Sequence, residues 1–187
     1  MRPLPIGIDD FKKLRENNFC YVDKSLFIQE LLDNRSEVSV FMRPRRFGKT
    51  LGLSMLKYYF EKEFDPDGNE VDNKKLFDGL NILDTGEKYT KYMGQYPVIS
   101  LSLKCAKQPD FQTAYECLVD EIAQEFDRHS YILLNSNLNS SEKNQFREMI
   151  EKKGPDSAWA KALNFLSRCL NCLLYTSDAA DDLIGVD

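Results

Sequence analysis

The sequence lacks any long apolar run, and this excludes one class of protein. No stretch of the 187 residues approaches the roughly 18 consecutive apolar residues that a membrane-spanning helix needs. Residues 1–7 likewise contain no apolar run that could act as a signal peptide. We therefore expect no membrane association and a cytoplasmic location.

Histidine and paired cysteines are also scarce, which argues against metal and disulfide frameworks. His129 is the single histidine, and the five cysteines are odd in number and irregularly spaced. Cys169 and Cys172 form one C-x-x-C pair, whereas a zinc site of this type needs a second pair or nearby histidines. We interpret the pair as two helix cysteines in a reducing compartment, and His129 as an exposed or helix-end residue.

Basic residues do not outnumber acidic residues in this sequence either. The formal net charge is −5, and the stretch after residue 172 carries no lysine or arginine but has four aspartates: Asp178, Asp181, Asp182 and Asp187. The rest of the chain is therefore nearly neutral. Its global charge predicts neither nucleic-acid binding nor membrane binding.

Apolar periodicity predicts an α/β fold. Residues 38–42 and 97–103 are short, apolar and rich in β-branched side chains, which is typical of buried strands. Helical spacing of apolar residues predicts a helix over about 49–64 and a long amphipathic helix over about 111–126. This order favours a parallel sheet flanked by helices, and the sheet looks incomplete because two strands are fewer than such a sheet normally has.

Aspartates precede two further predicted helices. Asp9 or Asp10 offers an N-cap to a short helix, and Asp23 offers one to a helix whose apolar residues fall within 26–32. The pair Asp23-Lys24 is also a candidate for a position near a bound ligand, although helix capping alone explains Asp23.

The loop between the first predicted strand and the helix after it carries phosphate-binding chemistry. Gly48-Lys49-Thr50 matches the second half of the G-x-x-x-x-G-K-[ST] pattern, in which backbone amides bind phosphate at a helix N-terminus. Lys49 is expected to contact the β- and γ-phosphates of ATP, and the Thr50 hydroxyl to ligate Mg²⁺. The residues expected to contact the nucleotide are Phe47, Gly48, Lys49, Thr50 and Leu51.

Three arginines crowd the same loop, and one of them, Arg43, takes the place of the first glycine of the pattern. In one interpretation Arg45 and Arg46 contact the phosphates, and Arg46 joins Lys49 as a candidate catalytic residue that stabilises transition-state charge. In another the arginines pair with acidic neighbours. Contact with nucleic-acid phosphates is a further alternative, and a basic surface turn that binds no ligand is the plainest one.

Five segments, in order along the chain, resemble the bacterial AAA-ATPase-like family. They are LPIGIDDF (4–11), YVDKSLFI (21–28), RPRRFGKT (43–50), LFDGL (76–80) and YPVISLS (96–102). The resemblance covers roughly residues 3 to 171, and in that family the R-P-R-R-F-G-K-T form of the loop is usual. It implies an incomplete P-loop NTPase-type parallel sheet flanked by helices, related to STAND-type and archaeal ATPases, with ATP and Mg²⁺ as cofactors.

The resemblance also implies a second acidic motif, an apolar strand ending in Asp-Glu that holds Mg²⁺ and polarises the attacking water. It is expected shortly after the helix that ends near Leu170, where the chain instead continues to Asp181-Asp182 without a preceding apolar strand. Residues 173–187 resemble translated sequencing-adaptor sequence at the end of an assembled gene fragment. We therefore expect residues 1–172 to be a truncated nucleotide-binding domain and 173–187 to be a non-native tail.

These observations favour the ATP-binding domain of a P-loop ATPase. Hydrolysis is expected in the full-length protein, whereas this fragment is expected to be weakly active or inactive. One alternative is a non-hydrolysing nucleotide-sensing module. A second is a nucleic-acid-binding protein that uses the loop at 43–46, whose binding would weaken steeply with salt and would not compete with ATP. The resemblance further implies a C-terminal PD-(D/E)XK nuclease-like domain in full-length members.

Overall fold

The computed structural model describes residues 3–42, 44, 47–65, 67–134 and 138–181, with side chains up to residue 172. Arg43, Arg45 and Arg46 lie outside the described residues. Backbone contacts divide the chain into two units, and each has its own buried core. The first unit comprises Met1–Glu63 and Glu70–Val98, and the second comprises Phe64–Asn69 and Ile99–Asp187.

The first unit is built from helices around an aromatic core. Its α-helices are α1 (Phe11–Glu16), α2 (Leu26–Asn34), α3 (Lys49–Phe60) and α4 (Glu87–Thr90), with 3₁₀ turns at Lys74–Phe77 and Asn81–Thr85. Each of these elements contributes at least one apolar side chain to the interior, and this shared burial holds the short helices together. The side chains at its centre, all 0–1% exposed, are Phe11, Ile28, Met55, Tyr59, Phe77 and Ile82.

Asp10 joins α1 to α3. Its carboxylate accepts the N–H of Lys13 at 2.7 Å, which confirms the predicted N-cap. The same carboxylate accepts the hydroxyl of Tyr58 at 3.0 Å and that of Ser54 at 3.3 Å, both on α3. The N–H of Phe11 donates to the Ser54 hydroxyl at 2.9 Å. A network around one carboxylate thus fixes α1 against the middle of α3.

The sheet found among the described residues is a short antiparallel hairpin of two strands. Its strands are β1 (Glu63–Phe64) and β2 (Glu70–Val71). The Asp65 carboxylate accepts the N–H groups of Asp67 at 3.0 Å and Asn69 at 2.8 Å, and this Asx-type bonding stabilises the turn between the strands.

The second unit is a helical assembly of α5 (Phe111–Arg128), α6 (Ser140–Ile150), α7 (Asp156–Trp159) and α8 (Ala162–Asp181), with a 3₁₀ turn at Ser130–Leu134. The long amphipathic helix predicted over 111–126 is confirmed as α5. No described helix combines the length and the apolar character needed to cross a membrane. The apolar side chains at the centre of this unit include Phe126, Ile132, Phe146, Met149, Ala162 and Leu166.

The structure contradicts the predicted strand over residues 38–42. This segment has no regular secondary structure and pairs with no other described segment, and Val38, Val40 and Met42 are 79, 78 and 90% exposed. A strand needs the backbone hydrogen bonds of a neighbour, and an apolar pattern alone does not supply them. The fold is α/β in content and mainly helical, and the predicted parallel sheet does not form among the described residues.

The predicted strand over 97–103 is wrong as well, although pairing starts beside it. Tyr96 forms an isolated parallel bridge with Glu61, in which the N–H of Lys62 donates to the Tyr96 carbonyl at 2.8 Å. In the second unit, the N–H of Ser100 donates to the Glu125 carboxylate at 2.7 Å. The Ser100 N–H thus bonds to a side-chain carboxylate, whereas in a sheet it would bond to the backbone carbonyl of a neighbouring strand.

Candidate functional site

The Gly48-Lys49-Thr50 motif lies at the start of α3. Gly48 is the N-cap residue and has a left-handed backbone with φ of 73°, a conformation that glycine adopts without steric cost. The first hydrogen bond of the helix runs from the Gly52 N–H to the Gly48 carbonyl at 2.8 Å. The amides of Thr50 and Leu51 precede that bond, at the end of the helix where the dipole favours anions. The local geometry therefore suits a bound phosphate.

Lys24 reaches this loop from a different segment. Its Nζ lies 3.4 Å from the carbonyl oxygen of Phe47 and donates to it. A Cβ added to Gly48 would lie 3.7 Å from the same Nζ, so the ammonium stands directly beside the glycine. The sequence pointed to Lys24 as a weaker candidate, and the structure brings it to the loop. The approach depends on a tertiary contact between segments 23 residues apart, which no local pattern encodes.

The backbone that carries Lys24 is fixed by its neighbours. The Asp23 carboxylate accepts the N–H of Ser25 at 2.7 Å and that of Asn81 at 2.8 Å. The hydroxyl of Ser25, which is fully buried, accepts the N–H of Ile82 at 3.1 Å. Burial tends to raise the pKa of Asp23, but these N–H donors outweigh it and hold the pKa below its usual value. Asp23 thus anchors the chain around Lys24 and stays ionised.

A cleft of about 620 Å³ opens at this loop within the first unit. Its lining includes the basic side chains of Lys24 and Lys49, beside Gly48. It also includes Phe27 and Phe41, whose rings meet edge to face with centroids 4.7 Å apart. A ligand that carries both an anionic group and a flat apolar group matches this set of side chains. The other lining residues are Leu26, Glu30, Ser39, Val40, Phe47, Gly52, Leu53 and Met55.

The residues expected to contact a nucleotide are placed together. Phe47, Gly48 and Lys49 line the cleft, and Thr50 and Leu51 form the rest of the first helical turn. Thr50 is exposed, while Leu51 is half-buried and packs against the core of the unit. The predicted roles of Arg45 and Arg46 fall on residues that the structure does not describe.

The donor set is consistent with Mg²⁺ held jointly with a phosphate. Among the described residues no cluster of three histidine, cysteine or carboxylate side chains could hold a metal ion by itself. Mg²⁺ bound with nucleotides takes most of its ligands from phosphate oxygens and water and few from the protein. The hydroxyl of Thr50, an exposed residue in the first turn of α3, is a protein group of the kind that this arrangement needs.

Three residues considered from the sequence belong to the second unit. His129 ends α5, as predicted, but it is 1% exposed and its ring contacts the Tyr131 hydroxyl at 3.0 Å. Cys169 and Cys172 both lie on α8, which confirms their interpretation as helix cysteines. Burial raises the pKa of the Cys169 thiol to about 11, so this thiol stays protonated and unreactive near neutral pH.

Comparison with known proteins adds an independent finding. The family model described as "Predicted AAA-ATPase" matches residues 5–157. Among curated proteins, the "Uncharacterized protein in vnfD 5'region" of Azotobacter chroococcum mcd 1 is 34% identical over 102 residues. The alignment covers 54% of this chain and 17% of that protein, so the chain spans a small part of its relative's length. No solved structure matches the chain.

Proposed function

The chain belongs to the predicted AAA-ATPase family, and on that basis we propose that its first unit binds ATP together with Mg²⁺. The observation that carries the proposal is the left-handed Gly48 at the N-cap of α3, with Lys49 beside it in a cleft lined by both basic and aromatic side chains. The triphosphate of ATP is the anionic group that such a cleft accommodates, and adenine is the flat apolar group.

Each residue of the loop has a role in this proposal. The amides from Phe47 to Leu51 donate to phosphate oxygens, and the missing Cβ of Gly48 lets the phosphate approach the backbone. Lys49 neutralises charge on the β- and γ-phosphates, and the Thr50 hydroxyl ligates Mg²⁺. Arg45 and Arg46 are proposed as further phosphate contacts, with Arg46 acting on transition-state charge.

Hydrolysis is proposed for the whole protein of which this domain, residues 1–172, is the nucleotide-binding part. Residues 38–42 precede the loop, at the sequence position where P-loop proteins carry a strand. A nuclease-like domain that follows in the full-length protein is the proposed partner of the ATPase. Measured turnover in the full-length protein would support the ATPase, whereas binding without turnover would favour a nucleotide-sensing module.

Calorimetric titration with Mg-ATP tests the proposal. The wild-type chain is expected to bind with a stoichiometry near one, and Lys49→Ala is expected to weaken binding by about 100-fold or more, because a charge-assisted contact to phosphate is lost. Lys75→Ala serves as the matched control, since Lys75 is an exposed lysine on a 3₁₀ turn of the same unit and outside the cleft.

Two results would contradict the proposal. One is the absence of Mg-ATP binding by a wild-type chain whose circular dichroism shows it to be folded. The other is binding that Lys49→Ala leaves unchanged. Binding of single-stranded DNA that ATP does not displace, and that weakens steeply with salt, would favour the nucleic-acid alternative instead.

A further inference from the structure

Lys24 stands beside the phosphate loop without belonging to it. We propose that Lys24 is a second phosphate-binding cation of the site, whose Nζ contacts the nucleotide phosphates together with Lys49. This inference rests on the proposed function, because it assigns a further binding residue to the same cleft. It makes the site bipartite, with one lysine at the start of α3 and one from the segment before α2.

The position of the ammonium carries the inference. Lys24 Nζ donates to the Phe47 carbonyl at 3.4 Å, a long contact to a neutral acceptor. A phosphate oxygen bound at the amides of Thr50 and Leu51 would offer a charged acceptor in the same cleft, and an ammonium bonds more strongly to a charged oxygen than to a carbonyl. The flexible four-carbon stem of lysine allows Nζ to move to the new acceptor while the backbone stays in place.

The segment around Lys24 is built to hold that backbone in place. Asp23 is bonded to the N–H groups of Ser25 and Asn81, and the N–H of Lys24 itself lies 3.4 Å from the Tyr21 hydroxyl. That hydroxyl in turn lies 3.3 Å from the Met55 sulfur, on α3. Hydrogen bonds therefore hold the backbone around Lys24, and its Nζ contacts the loop at the Phe47 carbonyl. An ordinary surface lysine has neither feature.

A structural role is the competing explanation, in which Lys24 merely ties the loop down through the Phe47 carbonyl. The two explanations differ in what they require of the side chain. A role in tying down the loop needs an N–H donor, which glutamine supplies on a side chain one atom shorter and arginine on a longer one. Binding of phosphate needs a positive charge, which arginine keeps and glutamine lacks. Lys24→Gln and Lys24→Arg therefore separate them.

The experiment measures the affinity of the full chain for Mg-ATP and for adenosine in four forms: wild type, Lys24→Gln, Lys24→Arg and the control Lys75→Gln. We expect Lys24→Gln to weaken Mg-ATP binding by about ten- to 100-fold, and Lys24→Arg to retain most of the affinity. Adenosine, which has no phosphate, should bind equally to all four forms. Circular dichroism at each titration temperature establishes that the variants are folded.

The result that overturns the inference is Mg-ATP affinity in Lys24→Gln equal to that of the Lys75→Gln control. If Lys49→Ala still weakens Mg-ATP binding by about 100-fold or more in that case, the proposed function stands and the role of Lys24 fails alone. If the folded wild-type chain binds no Mg-ATP, the proposed function and the role of Lys24 fail together. An equal loss of Mg-ATP and adenosine affinity would assign Lys24 to the shape of the cleft and would also overturn the inference.

Discussion

Glu125 lies on the buried face of α5 with 5% of its surface exposed, and its carboxylate accepts hydrogen bonds from several groups. The Arg128 Nε donates to it at 3.0 Å, and the N–H of Ser100 does so at 2.7 Å. Burial raises the pKa of Glu125, but the hydrogen bonds from His129, Arg128 and Ser100 prevail and lower the pKa to about 2. The charged form is therefore the one that stabilises the second unit.

Glu125→Gln should reveal this contribution through its pH dependence. The pKa of Glu125 is lower in the folded state than in the unfolded state, so the stabilisation is present above about pH 4.5 and is lost as the pH falls towards 2. At pH 7 the variant should lose about 2–4 kcal/mol of unfolding free energy, and the difference from wild type should narrow below about pH 4.5. Urea unfolding followed by Trp159 fluorescence measures this, since Trp159 is the sole tryptophan of the chain and lies in the core of the second unit.

Asp127→Asn is the control for that measurement, because Asp127 is an exposed carboxylate on the same helix. It should shift the unfolding free energy by less than about 0.5 kcal/mol. A difference between Glu125→Gln and wild type that stays constant from pH 7 to pH 3 would show that the charge of Glu125 is not what stabilises the unit.

Gly48 and Gly52 provide a matched pair of glycines at the start of α3. Gly48→Ala puts a Cβ on a left-handed residue and should destabilise the start of the helix by about 1–2 kcal/mol. Gly52 is helical, and an added Cβ there meets no atom within 4 Å, so Gly52→Ala should stabilise α3 by up to about 1 kcal/mol. Hydrogen exchange of the α3 amides, read by mass spectrometry, should speed up in the first variant and slow down in the second. Equal exchange in both would contradict the assigned backbone of the loop.

At the scale of elements, local sequence signals predicted helices that the structure contains, but the two strands predicted from apolar runs do not form. The predicted start of α3 and the Asp10 cap agree with the structure because capping and helical periodicity depend on residues a few positions apart. Strand pairing depends on a distant partner, and the apolar runs at 38–42 and 97–103 carry no information on whether one is adjacent. The segment after Gly154-Pro155 forms two helices, α7 and α8.

The capping box of α6 is an element-scale feature that can be tested directly. The Asn139 side chain accepts the N–H of Glu142 at 2.9 Å, and the Glu142 carboxylate accepts the N–H of Asn139 at 3.1 Å. Asn139→Ala removes the first bond and should cost about 1 kcal/mol of unfolding free energy, whereas Asn139→Asp should keep it. Trp159 fluorescence during urea unfolding reports both. Equal stability of the alanine and aspartate variants would show that the box contributes nothing.

At the scale of the whole molecule, each of the two units has its own buried core. The first unit packs an aromatic-rich core behind the loop at 47–50, and the second packs helices around Phe126 and carries the Glu125 network. The sequence predicted the loop residues of the candidate site because a glycine, a lysine and a threonine before an amphipathic helix form a local motif. It could not predict the cleft itself, since Lys24 and Phe27 reach the loop from a separate segment through tertiary packing.

The most direct test of ATP binding at this loop is an NMR titration of the ¹⁵N-labelled chain with a non-hydrolysable Mg-ATP analogue. We expect saturable shifts at the amides of 47–51 and around Lys24, with little change at the Glu125 network in the second unit, and loss of those shifts in Lys49→Ala. Amides of 47–51 that stay unshifted at saturating ligand, with shifts confined to other residues, would contradict ATP binding at this loop.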